Sequence, residues 1–226
     1  MTPKLMLQSI GTLLFGTLLL GLLIFLPAGT FNYWQAWVII AVFMVTVTIF
    51  GLYFSIKDPA LMERRKQAGP VAEQSTLQKI VATLAFASLV GLFILGGLDH
   101  RFGWSHMPSF IAWAGDVLVV VSFLLYTLVF KANSFGASNI RVEEKQSVAS
   151  TGPYALVRHP MYTVGVVLFA GIALGLGSWW TLLLIVVAVP VLILRILDEE
   201  KVLEKDLAGY KEYEQKVRYR LVPYLW

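Results

Sequence analysis

The chain has 226 residues, of which 58% are hydrophobic and only 14% are charged, and its formal net charge is +4. Ordinary soluble domains carry about a quarter charged residues, so this composition excludes a soluble globular protein and indicates an integral membrane protein. The absence of Cys from the sequence excludes disulfides, thiolate metal sites and cysteine nucleophiles.

Four apolar runs are long enough to cross a bilayer, which takes about 20 residues of helix. They span residues 5–26, 34–54, 80–98 and 110–130. The first run exceeds the roughly 7–15 apolar residues of a signal peptide, so we interpret it as a retained anchor.

A fifth apolar run, residues 161–197, is too long for a single crossing. The sequence "GLGSWW" at 175–180 interrupts it near the middle, where Gly favours a turn. This pattern predicts a helical hairpin. The sequence therefore predicts an all-α integral membrane protein with about six transmembrane helices, the last two forming the hairpin.

The charges are distributed unevenly over this topology. If the N-terminus is cytoplasmic, all of the 18 Lys and Arg residues except Arg101 lie in inside segments or at their edges. Every Trp except Trp226 lies at the opposite ends of the helices, where an aromatic belt is expected. The positive-inside rule therefore predicts that both termini and all long polar segments face the cytoplasm. The basic residues cluster at helix ends and not in a nucleic-acid-binding pattern, so we expect no nucleic-acid partner.

A polar cluster is predicted where the hairpin begins and ends. The stretch "TGPYALVRHPMYTVG" (151–165) opens the hairpin and "RILDEE" (195–200) closes it. Because an antiparallel hairpin of equal legs returns its end beside its start, we expect His159 and Glu199 to meet. Pro160 suits a first helical turn, and the free amides of that turn, with Arg158, would attract an anion. With carboxylates opposite, one site would hold both ends of a zwitterion, such as an amino acid moiety.

Simpler interpretations exist for each residue alone. Arg158 could extend to lipid head groups, and the carboxylates at 199 and 200 could form a solvated helix end. Arg195 is harder to dismiss, because an unpaired charge deep in a membrane helix costs roughly 2.5–3.5 kcal/mol. Glu199 lies one helical turn further on, so we expect it to be the partner of Arg195.

The same residues carry a family resemblance. "TGPYALVRHPMYTVG", followed after the hairpin by "RILDEEKVLEKDLAGYKEYEQKVRYRLVPYLW", resembles the isoprenylcysteine carboxyl methyltransferase family, whose wider relatives include membrane phospholipid N-methyltransferases. The likeness covers roughly residues 131–226, whereas the first four crossings match only in hydropathy. It implies a four-helix transmembrane part (1–130) and a catalytic region (131–226) within one structural unit.

The resemblance implies an S-adenosylmethionine-dependent methyltransferase with its cofactor pocket on the cytoplasmic side and no metal. Arg195 would face a substrate carboxylate. The cofactor-binding positions would be Asn139, Gln146, Ser147, Val148, Ala149, Tyr154, His159, Pro160, Met161, Tyr162 and Glu199. The best-known members carry Gln at the position of Asn139 and His-Thr-Leu-Val at 146–149, so this chain departs from the family there.

The resemblance favours carboxyl methylation of an isoprenylcysteine-like lipid that enters from the bilayer. Methylation of a phospholipid amine or of a thiol stays open, because the residues specify the methyl donor better than the acceptor. An alternative of another class is an NADPH-dependent sterol-type membrane reductase, which shares an Arg-His-Pro-like turn but generally has more crossings. A non-catalytic membrane protein anchored by its inner charges is the third hypothesis.

Overall fold

The structure, a computed structural model, describes residues 3–66, 69–73, 75–136, 142 and 146–226, and all regular structure among them is helical. Short 3-10 turns occur at Pro70–Ala72 and Gly152–Ala155. The α-helices are α1 (Pro3–Ala28), α2 (Trp34–Lys57), α3 (Pro59–Lys66), α4 (Thr76–Phe102), α5 (Ser109–Ala132), α6 (Pro160–Gly175), α7 (Trp179–Asp206) and α8 (Tyr210–Lys216).

The all-α membrane architecture predicted from the sequence is confirmed. Five helices, α1, α2, α4, α5 and α7, are long and apolar enough to cross a membrane, and α6 is a shorter apolar helix. The hairpin legs are unequal: α6 has 16 residues and α7 has 28. Pro160 and the Gly177 turn limit α6 to about 24 Å at 1.5 Å per residue. In contrast, α7 continues past the apolar run through "DEEKVLEKD", which is rich in good helix formers.

The chain divides into two compact units, each made of three segments. The first unit comprises Met1–Tyr53, Ser88–Phe123 and Val167–Val186, and the second comprises Phe54–Ala87, Leu124–Val166 and Val187–Trp226. Both units therefore draw on the N-terminal and the C-terminal halves of the chain. The division at residue 131 that the resemblance implies stays a prediction.

In the first unit, a buried carboxylate fixes the turn between α6 and α7. Asp99 is 2% exposed and accepts hydrogen bonds from the Ser105 amide (2.7 Å), the Ser105 hydroxyl (2.6 Å) and the Ser178 hydroxyl. Ser178 in turn accepts the Thr181 amide at 3.2 Å, one of the unpaired donors at the start of α7. Gly177 has a φ of +71°, which glycine adopts without steric cost.

The first unit also brings the backbones of α5 and α6 into contact at glycines. A Cβ on Gly115 would lie 2.7 Å from the Gly171 carbonyl oxygen and would also collide with the Gly175 amide nitrogen. Backbone atoms cannot rotate away as the end of a flexible side chain can. Small residues at such contacts let membrane helices approach closely.

We expect Gly115→Ala to lower the free energy of unfolding by about 1–3 kcal/mol, because the added methyl group overpacks this contact. Gly51→Ala is the matched control, since nothing lies within 4 Å of a Cβ built at that helical position. Equilibrium unfolding in detergent measures both variants. Equal stability of the two would show that the α5–α6 contact relaxes to admit the methyl group.

Candidate functional site

A cavity lies within the second unit, where the segments around α6, α7 and α8 converge. Its walls are partly aromatic and partly polar. The lining residues are Asn133, Phe135, Gly136, Gln146, Ser147, Val148, Ala149, Tyr154, Arg158, His159, Met161, Tyr162, Glu199, Leu203, Leu207, Tyr210 and Tyr213.

The start of α6 is held by the C-terminal tail. Helix α6 begins at Pro160, as predicted, and the two residues before it form backbone hydrogen bonds with the tail. The Arg158 amide donates to the Tyr219 carbonyl and the His159 amide to the Arg220 carbonyl, both at 2.9 Å. The tail thus occupies the two amides that precede α6, and anion binding by the amides of the first helical turn stays a prediction.

A buried ion cluster centres on Glu200. One of its oxygens lies 2.8 Å from Arg158 Nε and 3.1 Å from His159 Nε2, and the other lies 2.8 Å from Arg220 Nε. The Arg158 Nε contact is an ion pair without hydrogen-bond geometry. Arg158 also pairs with Glu214 through Nη1 at 2.9 Å. Arg158 is 6% exposed and carries two carboxylate partners, so it does not extend to lipid head groups.

A second polar chain runs along the neighbouring face of α7. The Tyr162 hydroxyl donates to Glu199 Oε2 at 2.6 Å and accepts from Arg195 Nε at 3.3 Å. Arg195 Nη2 lies 2.7 Å from an oxygen of Glu73, which precedes α4. The structure thus corrects two sequence expectations: His159 meets Glu200 instead of Glu199, and the partner of Arg195 is Glu73 instead of Glu199.

Three tyrosines close the side of the cavity nearest α8. The Tyr213 hydroxyl donates to the Tyr154 carbonyl at 2.7 Å, and Asn133 Nδ2 donates to the Tyr154 hydroxyl at 3.2 Å. Burial raises the pKa of Tyr154 to about 12, although the Asn133 hydrogen bond opposes this shift. Tyr210 is 3% exposed, and its hydroxyl has no hydrogen-bond partner among the described residues. A buried polar atom without a partner is costly, so this hydroxyl is suited to a ligand.

Burial also keeps Tyr210 in its neutral form. Burial, and next the nearby Glu200 charge, raise the pKa of Tyr210 well above its ordinary value. At neutral pH the hydroxyl therefore keeps its proton and can donate a hydrogen bond into the cavity.

Helix α3 holds the loop that follows α5. Arg64 donates to the Ser134 carbonyl at 3.1 Å, and Arg65 donates to the Gly136 carbonyl at 3.2 Å. Their guanidinium groups lie over Phe135 and Phe130 at 4.7 and 4.6 Å from the ring centroids. Burial lowers the pKa of Arg65. The loop after α5 is thus held by two guanidinium groups of α3.

Most of the residues predicted for the cofactor lie around this cavity. Those that line it are Gln146, Ser147, Val148, Ala149, Tyr154, His159, Met161, Tyr162 and Glu199. Pro160 starts α6 without lining the cavity, Arg195 lies behind Tyr162, and Asn139 lies outside the described residues. What each residue binds stays a prediction.

Sequence reasoning missed several residues of the site. Tyr210 and Tyr213 are three residues apart in "GYKEYEQ", so they lie on one face of a helix, and this spacing could have identified them. Glu73 and Glu214 gave no comparable signal, because their partners are distant in the chain.

Residues 110–208 match the family model described as phospholipid methyltransferase. The matched range includes α5, α6, α7 and the segment between α5 and α6, and it leaves Glu73, Tyr210 and Arg220 outside. No curated protein matches the chain. The family match supports a membrane methyltransferase of this wider group, and it does not distinguish among the acceptors that such enzymes methylate.

Proposed function

We propose that the protein is an S-adenosylmethionine-dependent methyltransferase that acts on a lipophilic acceptor reached from the bilayer. The observation that carries the proposal is Glu199, which lines the cavity and whose described hydrogen-bond partner is the neutral Tyr162 hydroxyl. A partly buried carboxylate whose described partner is neutral favours a positively charged ligand. The match to the phospholipid methyltransferase family model supports the same chemistry.

The residues around the cavity fit the proposed cofactor. S-adenosylmethionine supplies a methyl group on a positively charged sulfonium, next to an amino acid moiety and an adenosine. Glu199 would face the positive charge, and the Tyr210 hydroxyl, which has no described partner, would donate to an oxygen of the ligand. The apolar Met161, Leu203 and Leu207 would contact the adenine.

In such a transfer the main role of the protein is to position the methyl donor and the acceptor. Methyl transfer from sulfur is an in-line displacement, so a rigid site that aligns donor and acceptor supplies most of the acceleration. The Glu200 ion cluster and the backbone hydrogen bonds of residues 158 and 159 give the cavity this rigidity.

The methyl acceptor and the side of the membrane on which the site lies are also parts of the proposal. The sequence resemblance favours an isoprenylcysteine-like carboxylate, and the family match is equally consistent with a phospholipid amine. The distribution of Lys and Arg supports a cytoplasmic position for the site and for both termini.

Ligand binding tests the proposal directly. For the protein in nanodiscs, we expect calorimetry to detect binding of S-adenosylmethionine and of S-adenosylhomocysteine but no binding of NADPH. When the methyl group of S-adenosylmethionine is radiolabelled, we expect the label to appear in a lipid fraction. Binding of NADPH alone would favour the sterol-type reductase. If none of the three ligands binds, the protein is not this enzyme.

Tyr210→Phe tests the contribution of the buried hydroxyl. We expect it to weaken S-adenosylmethionine binding by about tenfold, because a lost hydrogen bond to a polar ligand atom costs about 0.5–1.5 kcal/mol or more if the partner is charged. Tyr224→Phe is the matched control, since Tyr224 is 90% exposed. Unchanged affinity in Tyr210→Phe would show that the hydroxyl does not contact the ligand.

A further inference from the structure

Residues 221–226 form a closed turn, which we call the C-terminal turn. The Leu221 and Val222 amides donate to the Trp226 carbonyl at 2.9 and 3.1 Å, and the Trp226 amide donates to the Val222 carbonyl at 3.2 Å. The Arg220 guanidinium lies 5.3 Å from the centroid of the Trp226 ring. These contacts give the end of the tail a specific shape.

The C-terminal turn exposes apolar side chains. Tyr224 is 90% exposed and Leu225 is 79% exposed, and Val222 is exposed as well. The Tyr224 ring lies 5.4 Å from that of Tyr219, a contact that leaves most of its surface open. Tyr224 has a φ of +67°, which is uncommon for a residue other than Gly. Exposed apolar side chains grouped at one place mark an interaction surface.

Within the second unit, the tail is attached where the apolar stretches of α6 and α7 meet polar residues. The Thr163 hydroxyl, in the first turn of α6, donates to the Leu221 carbonyl at 2.7 Å. Arg220 Nε lies 2.8 Å from Glu200 of α7. Leu197 is exposed and precedes Glu200 by three residues, a rise of about 4.5 Å along the helix. The exposed apolar side of α7 therefore begins about one helical turn from the attachment of the tail.

A lipid surface fits the C-terminal turn at this level. The boundary between the hydrocarbon core and water is where Tyr side chains are favoured, and an exposed Leu is stabilised when it leaves water. Lys216 and Arg218, which precede the turn, are exposed, and cations beside an apolar tip are attracted to anionic head groups. The bilayer that surrounds α7 therefore supplies both kinds of contact.

We propose that the C-terminal turn is an interfacial anchor: Val222, Tyr224 and Leu225 enter the leaflet at which α6 begins, among anionic phospholipid head groups. The anchor secures the tail whose carbonyl groups accept the Arg158 and His159 amides. The lipid surface thereby helps to hold the start of α6 in position. This inference does not depend on the proposed methyl transfer.

Spin labelling tests the insertion directly. The sequence contains no Cys, so Leu225→Cys places a single nitroxide on the C-terminal turn. Gln215→Cys is the matched control, because Gln215 is exposed on the polar helix α8. In nanodiscs of phosphatidylcholine and phosphatidylserine, we expect the label at 225 to be several-fold less accessible to a neutral water-soluble nickel chelate than the label at 215, and more accessible to oxygen.

Hydrogen exchange tests what the anchor does for α6. Tyr224→Ser/Leu225→Ser removes the apolar tip, so the Arg158 and His159 amides should exchange about tenfold faster, because the tail then detaches more often. Tyr224→Phe is the matched control, since it keeps the ring that enters the lipid and should exchange like the wild type. Amides within α5 should be unchanged in both variants, which shows that the fold persists.

Three results would overturn the inference. The first is equal accessibility of the labels at 225 and 215 to the nickel chelate. The second is unchanged exchange of the Arg158 and His159 amides in the double serine variant. The third is dipolar broadening at 225 that disappears on dilution with unlabelled protein, because the turn would then contact a second copy of the chain and not lipid.

Discussion

Glu200→Gln is expected to lower the free energy of unfolding by about 3–5 kcal/mol, because it breaks a buried ion cluster by removing its central charge. Glu200 is 3% exposed and contacts Arg158, His159 and Arg220. Arg220 is partly exposed and can turn toward solvent, so most of the cost arises at Arg158, whose remaining partner among the described residues is Glu214.

Equilibrium unfolding in mixed detergent micelles measures this loss. Glu204→Gln is the matched control: Glu204 lies one turn further along the same helix and is exposed, and such surface changes usually stay within about 0.5 kcal/mol. If Glu200→Gln unfolds like Glu204→Gln, the cluster does not stabilise the fold.

Glu199→Gln is expected to separate binding from stability. Its amide oxygen can still accept the Tyr162 hydrogen bond, so the fold should persist, whereas the negative charge toward the cavity is lost. Hydrogen bonds to charged groups contribute about 1.5–3 kcal/mol, and each 1.4 kcal/mol is a factor of ten. S-adenosylmethionine binding should therefore weaken by about ten- to a hundredfold.

Calorimetry with Asp198→Asn as the control tests this expectation. Asp198 is the preceding residue and carries the same charge, but it contacts Gln78 and does not line the cavity. The affinity of the Asp198→Asn variant for S-adenosylmethionine should stay within about twofold of the wild-type affinity. An equal loss in both variants would point to the general charge of α7 and away from a contact at Glu199.

Glu199 and Glu73 lie at the two ends of one chain of polar contacts. The Tyr162 hydroxyl accepts from Arg195 Nε and donates to Glu199, and Arg195 Nη2 lies 2.7 Å from Glu73. Since Arg has donors only, the direction of these hydrogen bonds is fixed.

Prediction from sequence succeeded where one physical requirement acts over a whole segment. A helix that crosses a bilayer needs about 20 apolar residues, so the long helices and the hairpin could be located by hydropathy alone. The break at 175–180 was identifiable because Gly177 is needed at a positive φ. The start of α6 at Pro160 followed from the lack of an amide proton in Pro.

Prediction failed where the rotation of a helix about its own axis determines which of two adjacent residues faces a given partner. Glu199 and Glu200 are adjacent in sequence but about 100° apart around α7, so one faces Tyr162 and the other faces His159. Hydropathy does not specify this rotation. It is set by the packing of α6, α7 and the tail within the second unit.

By itself, the sequence determined the membrane class, the helices and most residues of the polar cluster around His159, because these depend on composition and local pattern. The tertiary structure alone decided the partners of the charged groups. Glu73 pairs with Arg195, which lies 122 positions further along the chain, and carbonyl groups of the C-terminal tail accept hydrogen bonds from the amides of Arg158 and His159. A buried charge is stable only beside an opposite charge. The number of residues between two charged groups does not show whether the fold brings them into contact.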